Sequence, residues 1–169
     1  MKNAFFIVDC SGSIAAEATM LQKINALLHD VIEEYEQACD DIYIVVYGNN
    51  AKIYWQKSSN ESFVDIPADK CGGRSSLGKA YSLIAGEIDK KGFALSDCAL
   101  VLISDGEATD NFKRRLGELD PKREAYRVAI SFGTNSYATE RHAFDDRLAF
   151  KNANRDRDDF FDALDDFIS

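Results

Sequence analysis

Three apolar runs without a polar interruption constrain this chain more than any other feature: Ala4-Phe5-Phe6-Ile7-Val8, Ile42-Tyr43-Ile44-Val45-Val46-Tyr47 and Ala99-Leu100-Val101-Leu102-Ile103. A fourth, Tyr126 to Phe132, carries a single charge at Arg127. Short continuous runs of this kind read as strands covered on both faces, as in parallel sheets. Between the first two, Leu21, Ile24, Leu28, Val31, Ile32 and Tyr35 recur at steps of three and four, with Lys23, Asn25, Asp30, Glu33, Glu34 and Glu36 opposite. That is a long amphipathic helix. Leu77, Ala80, Tyr81, Ile84 and Ile88 mark a second, and Phe160, Phe161, Leu164, Phe167 and Ile168 a last one over about 156–168. Strand and helix alternate, so the expected class is α/β: a doubly wound, mostly parallel sheet with helices on both faces. Lys52-Ile53-Tyr54-Trp55 returns after the Gly48-Asn49-Asn50 turn and is expected as an antiparallel edge strand. Residues Thr139–Phe150 read as a helix rather than a further strand. Thr109 or Asp110 is expected to cap a short helix ending near Gly117, and Gly133 to close the fourth strand.

A length of 169 residues suits one domain spanning 1–169, and 46% hydrophobic residues suit a packed core. The formal net charge of −9 argues against nucleic acid and against anionic membranes as partners. The terminal cluster Asp156, Asp158, Asp159, Asp162, Asp165 and Asp166 reads as the solvated face of the last helix. Met1-Lys2-Asn3 leads into an apolar segment too short for a secretion signal, and no run reaches the ~18 apolar residues of a membrane helix. A cytoplasmic protein is expected, with Cys10, Cys39, Cys71 and Cys98 as free thiols. Cys39 and Cys98 read as core residues; Cys10 and Cys71 lie beside the polar loops described next.

Those loops hold the chemistry. Asp9-Cys10-Ser11-Gly12-Ser13 follows the first apolar run, Ser104-Asp105-Gly106 follows the third, and Gly73-Arg74-Ser75-Ser76 is a glycine-marked loop. Crossovers in a parallel sheet are right-handed and bring strand C-termini to one edge, where ligand sites of open α/β sheets gather. Asp9, Ser11, Ser13, Ser75 and Asp105 therefore offer two carboxylates and three hydroxyls to one point. These hard oxygen donors suit Mg²⁺, with Mn²⁺ or Ca²⁺ as alternatives, rather than zinc. Two carboxylates only neutralise a divalent ion, which leaves open positions for water or for an acidic side chain of a partner.

Asp9-x-Ser11-x-Ser13, Gly73-Arg74-Ser75-x-x-Gly78-x-Ala80 and the apolar run ending Ser104-Asp105-Gly106-Glu107 resemble the metal-ion-dependent adhesion site of von Willebrand factor A domains. The resemblance implies a Rossmann-like fold with the metal at its upper edge. It implies that Ser11 and Ser13 ligate directly, and that Asp9 and Asp105 do so directly or through water. Ser75 stands where the family usually has threonine, which keeps the hydroxyl and loses the methyl that restrains its rotamer. Within the family, Asp9 to Ile14, Gly73 to Ala80, Asp105 to Asp110 and the Arg127-Val128-Ala129-Ile130 strand are similar to standalone bacterial proteins of the tellurium-resistance TerY type. That similarity implies an adaptor or scaffold in a stress response, binding a protein partner through its Asp or Glu. Glu107 and Arg74 are expected to border the site.

Other function classes fit less well. Gly73 to Lys79 matches the spacing of a phosphate-binding loop, but the next position, which should offer a hydroxyl to Mg²⁺, is Ala80. A Mg²⁺-dependent phosphohydrolase or nucleotidase with an aspartyl nucleophile needs a second carboxylate for proton transfer, and the residue two after Asp9 is Ser11. His29 and His142 fall in polar surroundings and are expected to be solvated. Tyr47, Tyr54 and Trp55 are expected to pack rather than to meet a partner. A non-enzymatic binding module is the resulting expectation; a structural subunit serving an ATPase, with no metal held, is the other alternative.

Overall fold

A computed structural model of the chain describes residues 2–106, 108, 110–132, 140, 142–150 and 153–169, the side chains of 153–155 excepted. Gly133, Glu107 and Thr109, to which the sequence assigned roles, lie outside the described residues.

The apolar runs form strands. β1 (Lys2–Asp9), β2 (Cys39–Tyr47), β4 (Cys98–Ser104) and β5 (Tyr126–Phe132) are parallel neighbours, β3 (Ala51–Gln56) pairs antiparallel with β2, and β6 (Asp146–Phe150) adds parallel to β5. The six-stranded sheet has the order β3-β2-β1-β4-β5-β6. Alternate residues of β1 serve opposite faces. Phe6 and Val8 pack with Leu28, Val31, Phe160 and Leu164, from α2 (Ala18–Tyr35) and α5 (Ala153–Ile168). Phe5 and Ile7 pack with Ala80, Ile84, Phe112 and Leu116, from α3 (Leu77–Lys91) and α4 (Phe112–Leu119). The sheet is thus wrapped on both faces, as the uninterrupted runs require. Among the described residues no helix is long and apolar enough to cross a membrane.

The strand order reverses at β1. The chain moves outward through β2 and β3 on one side, then returns to β4 on the other. The crevice beyond the C-terminal ends of β1 and β4 is the topological switch point where open α/β sheets bind ligands.

Three expectations need correction. Residues 146–150 are a strand, not the end of a helix: Asp145 N–H donates to the Arg127 carbonyl at 2.8 Å, and the Asp145 carboxylate accepts from Arg127 N–H at 2.9 Å, which starts the β5–β6 ladder. Ala143 and Phe144 are buried just before the strand begins, with the Phe144 ring stacked on Phe112 at 6.1 Å. Asn25 does not sit on the polar side of its helix. It is buried, and its amide bonds both the N–H and the carbonyl of Ile66, at 2.8 and 3.0 Å. Asp110 does not cap the helix that follows it. α4 runs to Leu119 with Asn111 at its N-cap and no side-chain bond there. Tyr54 and Trp55 do pack as expected, edge-on to Phe63, with hydrogen bonds to the carbonyls of Val64, Asp65 and Glu61.

Candidate metal centre

Asp9 is the last residue of β1 and is buried. Its Oδ1 accepts the backbone N–H of Ser11 at 2.9 Å, which turns the chain sharply into α1 (Gly12–Ala15), a short helix where the sequence was expected to form a loop. The turn places the Ser11 and Ser13 hydroxyl oxygens 3.2 Å apart. Asp9 Oδ2 accepts from Ser75 Oγ at 3.3 Å, across 66 residues of sequence. Asp105 joins them: it lies near enough for the Ser13 hydroxyl and the Asp9 carboxylate both to shift its titration. The structure therefore brings all five residues singled out from the sequence to one place on the crevice.

A sixth residue was missed. Ser104 is fully buried, and its hydroxyl lies 2.8 Å from Asp9 Oδ2 and 2.9 Å from the Gly106 carbonyl, either of which can take its proton. It also accepts the Gly106 N–H at 3.2 Å, so it orients Asp9 and holds the turn that carries Asp105. The signal lay in the register: Val8 pairs with Ile103, which sets the next residues, Asp9 and Ser104, side by side.

The supporting loops are laced through their backbones. Cys10 N–H bonds the Tyr47 carbonyl at 2.7 Å, Gly72 N–H the Cys10 carbonyl at 2.8 Å, Gly12 N–H the Gly73 carbonyl at 3.0 Å, and Ser76 N–H the Gly48 carbonyl at 3.0 Å. This approach leaves no room at Gly48, where a Cβ would lie 2.6 Å from the Gly72 carbonyl oxygen. Gly73 has a φ of +78°, and a Cβ there would meet the Asn49 amide at 2.5 Å. Asn49 in turn accepts the Arg74 N–H at 3.0 Å, while the Arg74 side chain stands exposed beside the site. Lys79 is anchored away from the carboxylates, on the carbonyl of Asn49 at 2.6 Å. Asp110 accepts Gly78 N–H at 2.9 Å and so ties the segment after Asp105 to the start of α3.

The cysteines depart from expectation. Cys39 and Cys98 are free and buried, and burial raises their thiols to about 11 and about 12. Cys10 and Cys71 are not free thiols but a disulfide, with Cα atoms 4.5 Å apart. A separation of 61 residues hid the pairing from sequence reading.

The electrostatics are unbalanced. Burial raises the Asp105 carboxyl above its ordinary value; a hydrogen bond from Ser13 opposes this, and the charge of Asp9 raises it further. Among the described residues no ion pair reaches Asp9 or Asp105. Among the described residues no group of three or more His, Cys, Asp or Glu gathers that could hold a metal, so a soft or zinc-type centre has no ligand set. Two adjoining carboxylates with neutral hydroxyls fit a small hard cation instead.

A family model for the von Willebrand factor type A domain matches residues 4–107, a span that contains all five candidate ligands. The chain belongs to the von Willebrand factor type A domain family. No curated protein matches this von Willebrand A domain by sequence. Solved structures share its fold. BatB from Bacteroides thetaiotaomicron, a conserved hypothetical protein, aligns over 99% of this chain and 98% of its own, with a TM-score of 0.68 and 14% identity. A von Willebrand factor type A protein from Catenulispora acidiphila aligns over 99% of this chain and 42% of its own, at 0.65 and 14%. An aerotolerance-related membrane protein from Bacteroides fragilis, carrying multiple mutations to serine, aligns over 78% and 67%, at 0.57 and 18%. At these identities the likeness is one of fold.

Proposed function

We propose that this von Willebrand A domain is a non-enzymatic, divalent-cation-dependent protein-binding module. Asp9, Ser11, Ser13, Ser75 and Asp105 would hold Mg²⁺, with Mn²⁺ or Ca²⁺ as substitutes. The cation, when bound, supplies open coordination positions for a carboxylate of a partner's Asp or Glu. The chain's own residues do the rest. Asp9 anchors the first loop through Ser11 N–H, Ser104 orients Asp9, and the Ser13 hydroxyl lies near Asp105. The observation that carries this reading is the meeting of the buried Asp9 and the half-buried Asp105 with serine hydroxyls and, among the described residues, no ion pair to either carboxyl group.

Hydrolysis has less support. Asp9 and Asp105 are both occupied as candidate ligands, which leaves neither for proton transfer. His29 is paired with Asp65 at 2.5 Å on the outside of α2, and His142 is exposed. The motif residues that resemble TerY-type proteins support an adaptor role in a bacterial stress response in the cytoplasm, and the formal net charge of −9 argues against nucleic acid or an anionic membrane as ligand. The test is capture of partners from a native lysate on the immobilised protein, in Mg²⁺ and in EDTA. The reading expects a protein retained in Mg²⁺, released by EDTA and not retained by Asp9→Ala. Retention that ignores both EDTA and the substitution would contradict it, as would Mg²⁺-dependent phosphate release from ATP or aryl phosphates that Asp9→Ala abolishes.

A further inference from the structure

The Cys10–Cys71 disulfide joins two of the three loops that make the candidate centre. Cys10 lies between Asp9 and Ser11, at the alternate position whose side chain packs into the core on the α2 side of the sheet. Cys71 begins the Cys71–Ser75 segment that delivers Ser75 to Asp9. Outside the first loop that segment is held by Arg74 N–H on the Asn49 side chain and, at its end, by Ser76 N–H on the Gly48 carbonyl. Gly72, Gly73 and Arg74 are exposed, and residues 67–70 before them are exposed as well. Its attachments to the first loop are two backbone hydrogen bonds, Gly72 N–H to Cys10 and Gly12 N–H to Gly73, and the long Ser75–Asp9 contact. The disulfide is the one covalent tie among them, and it contributes no atom to the centre itself.

The bond is also reachable. Cys71 is half-buried, while Cys10 is covered. A cavity of about 220 Å³ opens on the Cys10 side of the bond, with Cys10, Lys52, Lys70 and Gly72 among its lining residues. The structure thus differs here from its other two cysteines, which are buried thiols with no exposed partner.

We infer that Cys10–Cys71 is a redox latch: reduction by a dithiol frees the Cys71–Ser75 segment and weakens the cation site, and reoxidation restores it. The inference rests on the cation reading for its functional consequence, while the loosening of the segment stands apart from it. The chemistry balances as thiol–disulfide exchange. One sulfur of the dithiol attacks the more exposed Cys71 Sγ, the Cys10–Cys71 bond breaks, and Cys10 leaves as a thiolate that takes up a proton. The second sulfur of the dithiol then attacks the first, forms the dithiol's own disulfide, and releases Cys71 as a thiol. Two electrons pass from the dithiol to the protein's disulfide, and two protons end on Cys10 and Cys71. No ligand is removed; what is lost is the preorganisation of Ser75, and binding then has to order the segment.

The test compares the protein purified in air, the same protein reduced with dithiothreitol and freed of it by gel filtration under nitrogen, and the reduced sample reoxidised. Each is titrated with Mn²⁺, and amide hydrogen exchange is read in metal-free buffer. Reduction should weaken Mn²⁺ binding on the order of tenfold, reversibly. It should also speed exchange across 71–76 while β1 and β4 stay protected. The Cys10→Ala/Cys71→Ala double variant should match the reduced protein and ignore dithiothreitol. Unchanged exchange across 71–76 on reduction overturns the latch, as does ready alkylation of Cys10 and Cys71 in the untreated protein. Faster exchange with Mn²⁺ affinity equal within about twofold overturns the control of the site. Absence of saturable Mn²⁺ binding in every sample, with the exchange response intact, overturns the cation reading and separates that failure from the failure of the latch.

Discussion

At the N-terminal end of the sheet a buried carboxylate meets an arginine; at the C-terminal end a buried carboxylate meets another carboxyl group. Asp120, which closes α4, accepts the N–H groups of Glu124 and Ala125 at 2.8 and 3.1 Å and the Arg127 guanidinium at 3.0 and 3.2 Å. Both partners are buried, and the Arg127 Nη2 bonds the Asp120 carbonyl as well, at 2.8 Å. Charge and hydrogen-bonding capacity are satisfied within the chain. At the other end Asp9 and Asp105 find hydroxyls and a backbone N–H but, among the described residues, no cation. Taking charge out of water is costly unless an opposite charge repays it. The first end is settled within the chain; the second, on the proposed reading, is completed by a cation.

The contrast is broken most severely at the closed end. Arg127→Ala should leave Asp120 buried without its counter-charge and cost about 3–5 kcal/mol of unfolding free energy, read by denaturant titration. A loss under about 1 kcal/mol would mean that the pair is not the settled charge described here.

The next effect belongs to the open end. There the disulfide ties two of the loops together, as the Asp120–Arg127 pair ties α4 to β5 at the other end. For a loop of this length the chain-entropy model gives about 4 kcal/mol, so Cys10→Ala/Cys71→Ala should lower stability by up to that amount in denaturant titrations run under air. Dithiothreitol should lower the native protein toward the variant. Equal stability of native and variant chains would show that the backbone lacing already holds the loops.

Asn25→Ala sharpens the comparison from a third place, where a polar side chain serves structure only. It strips both bonds from the buried backbone of Ile66, and about 1–3 kcal/mol should be lost with no change in Mn²⁺ affinity. Paired denaturant and metal titrations of the variant would check both halves.

The smallest effect has the opposite sign. Asp105 has its carboxyl raised in the fold, chiefly by burial, with the Ser13 hydrogen bond opposing and Asp9 adding to the shift. A raised acid favours the fold while protonated, so that stabilisation is whole below the ordinary carboxylate value and is lost as pH rises through the raised one. At neutral pH the metal-free protein therefore carries a penalty. Asp105→Asn should remove it and raise Tm slightly in chelator, with the gain fading as pH falls. A lower Tm at neutral pH would show that the carboxylate stabilises the loop even without a cation.

The same contrast explains what could be read from residues alone. β1, β2 and β4 were legible because strands covered on both faces leave runs such as Phe5-Phe6-Ile7-Val8 that no surface element tolerates. That Asp9, Ser11, Ser13 and Asp105 share one sheet edge was legible because they directly follow such runs, while Ser75 was singled out from its glycine-marked loop and from the family resemblance. β6 was not: it is an edge strand with partly exposed residues, and its five residues give too few alternations to outweigh Ala143 and Phe144 just before it. Asn25, the Asp120–Arg127 pair and Cys10–Cys71 were not legible for a different reason. Each is a local polar residue whose meaning lies in a partner that only the tertiary fold brings near. Ser104 stood in plain view beside Asp105, but its role as a buried donor to Asp9 follows from the parallel register and not from its own neighbours.

The central claim is that the open end is completed by a cation. It is tested most directly by titrating the metal-free, air-oxidised protein with Mn²⁺ and following bound ion by calorimetry, beside the Asp105→Asn variant under the same conditions. The account predicts a single saturable site in the native chain, competed by Mg²⁺ and lost in the variant. No saturable binding at millimolar Mn²⁺, or binding that survives in Asp105→Asn with its affinity intact, would contradict it.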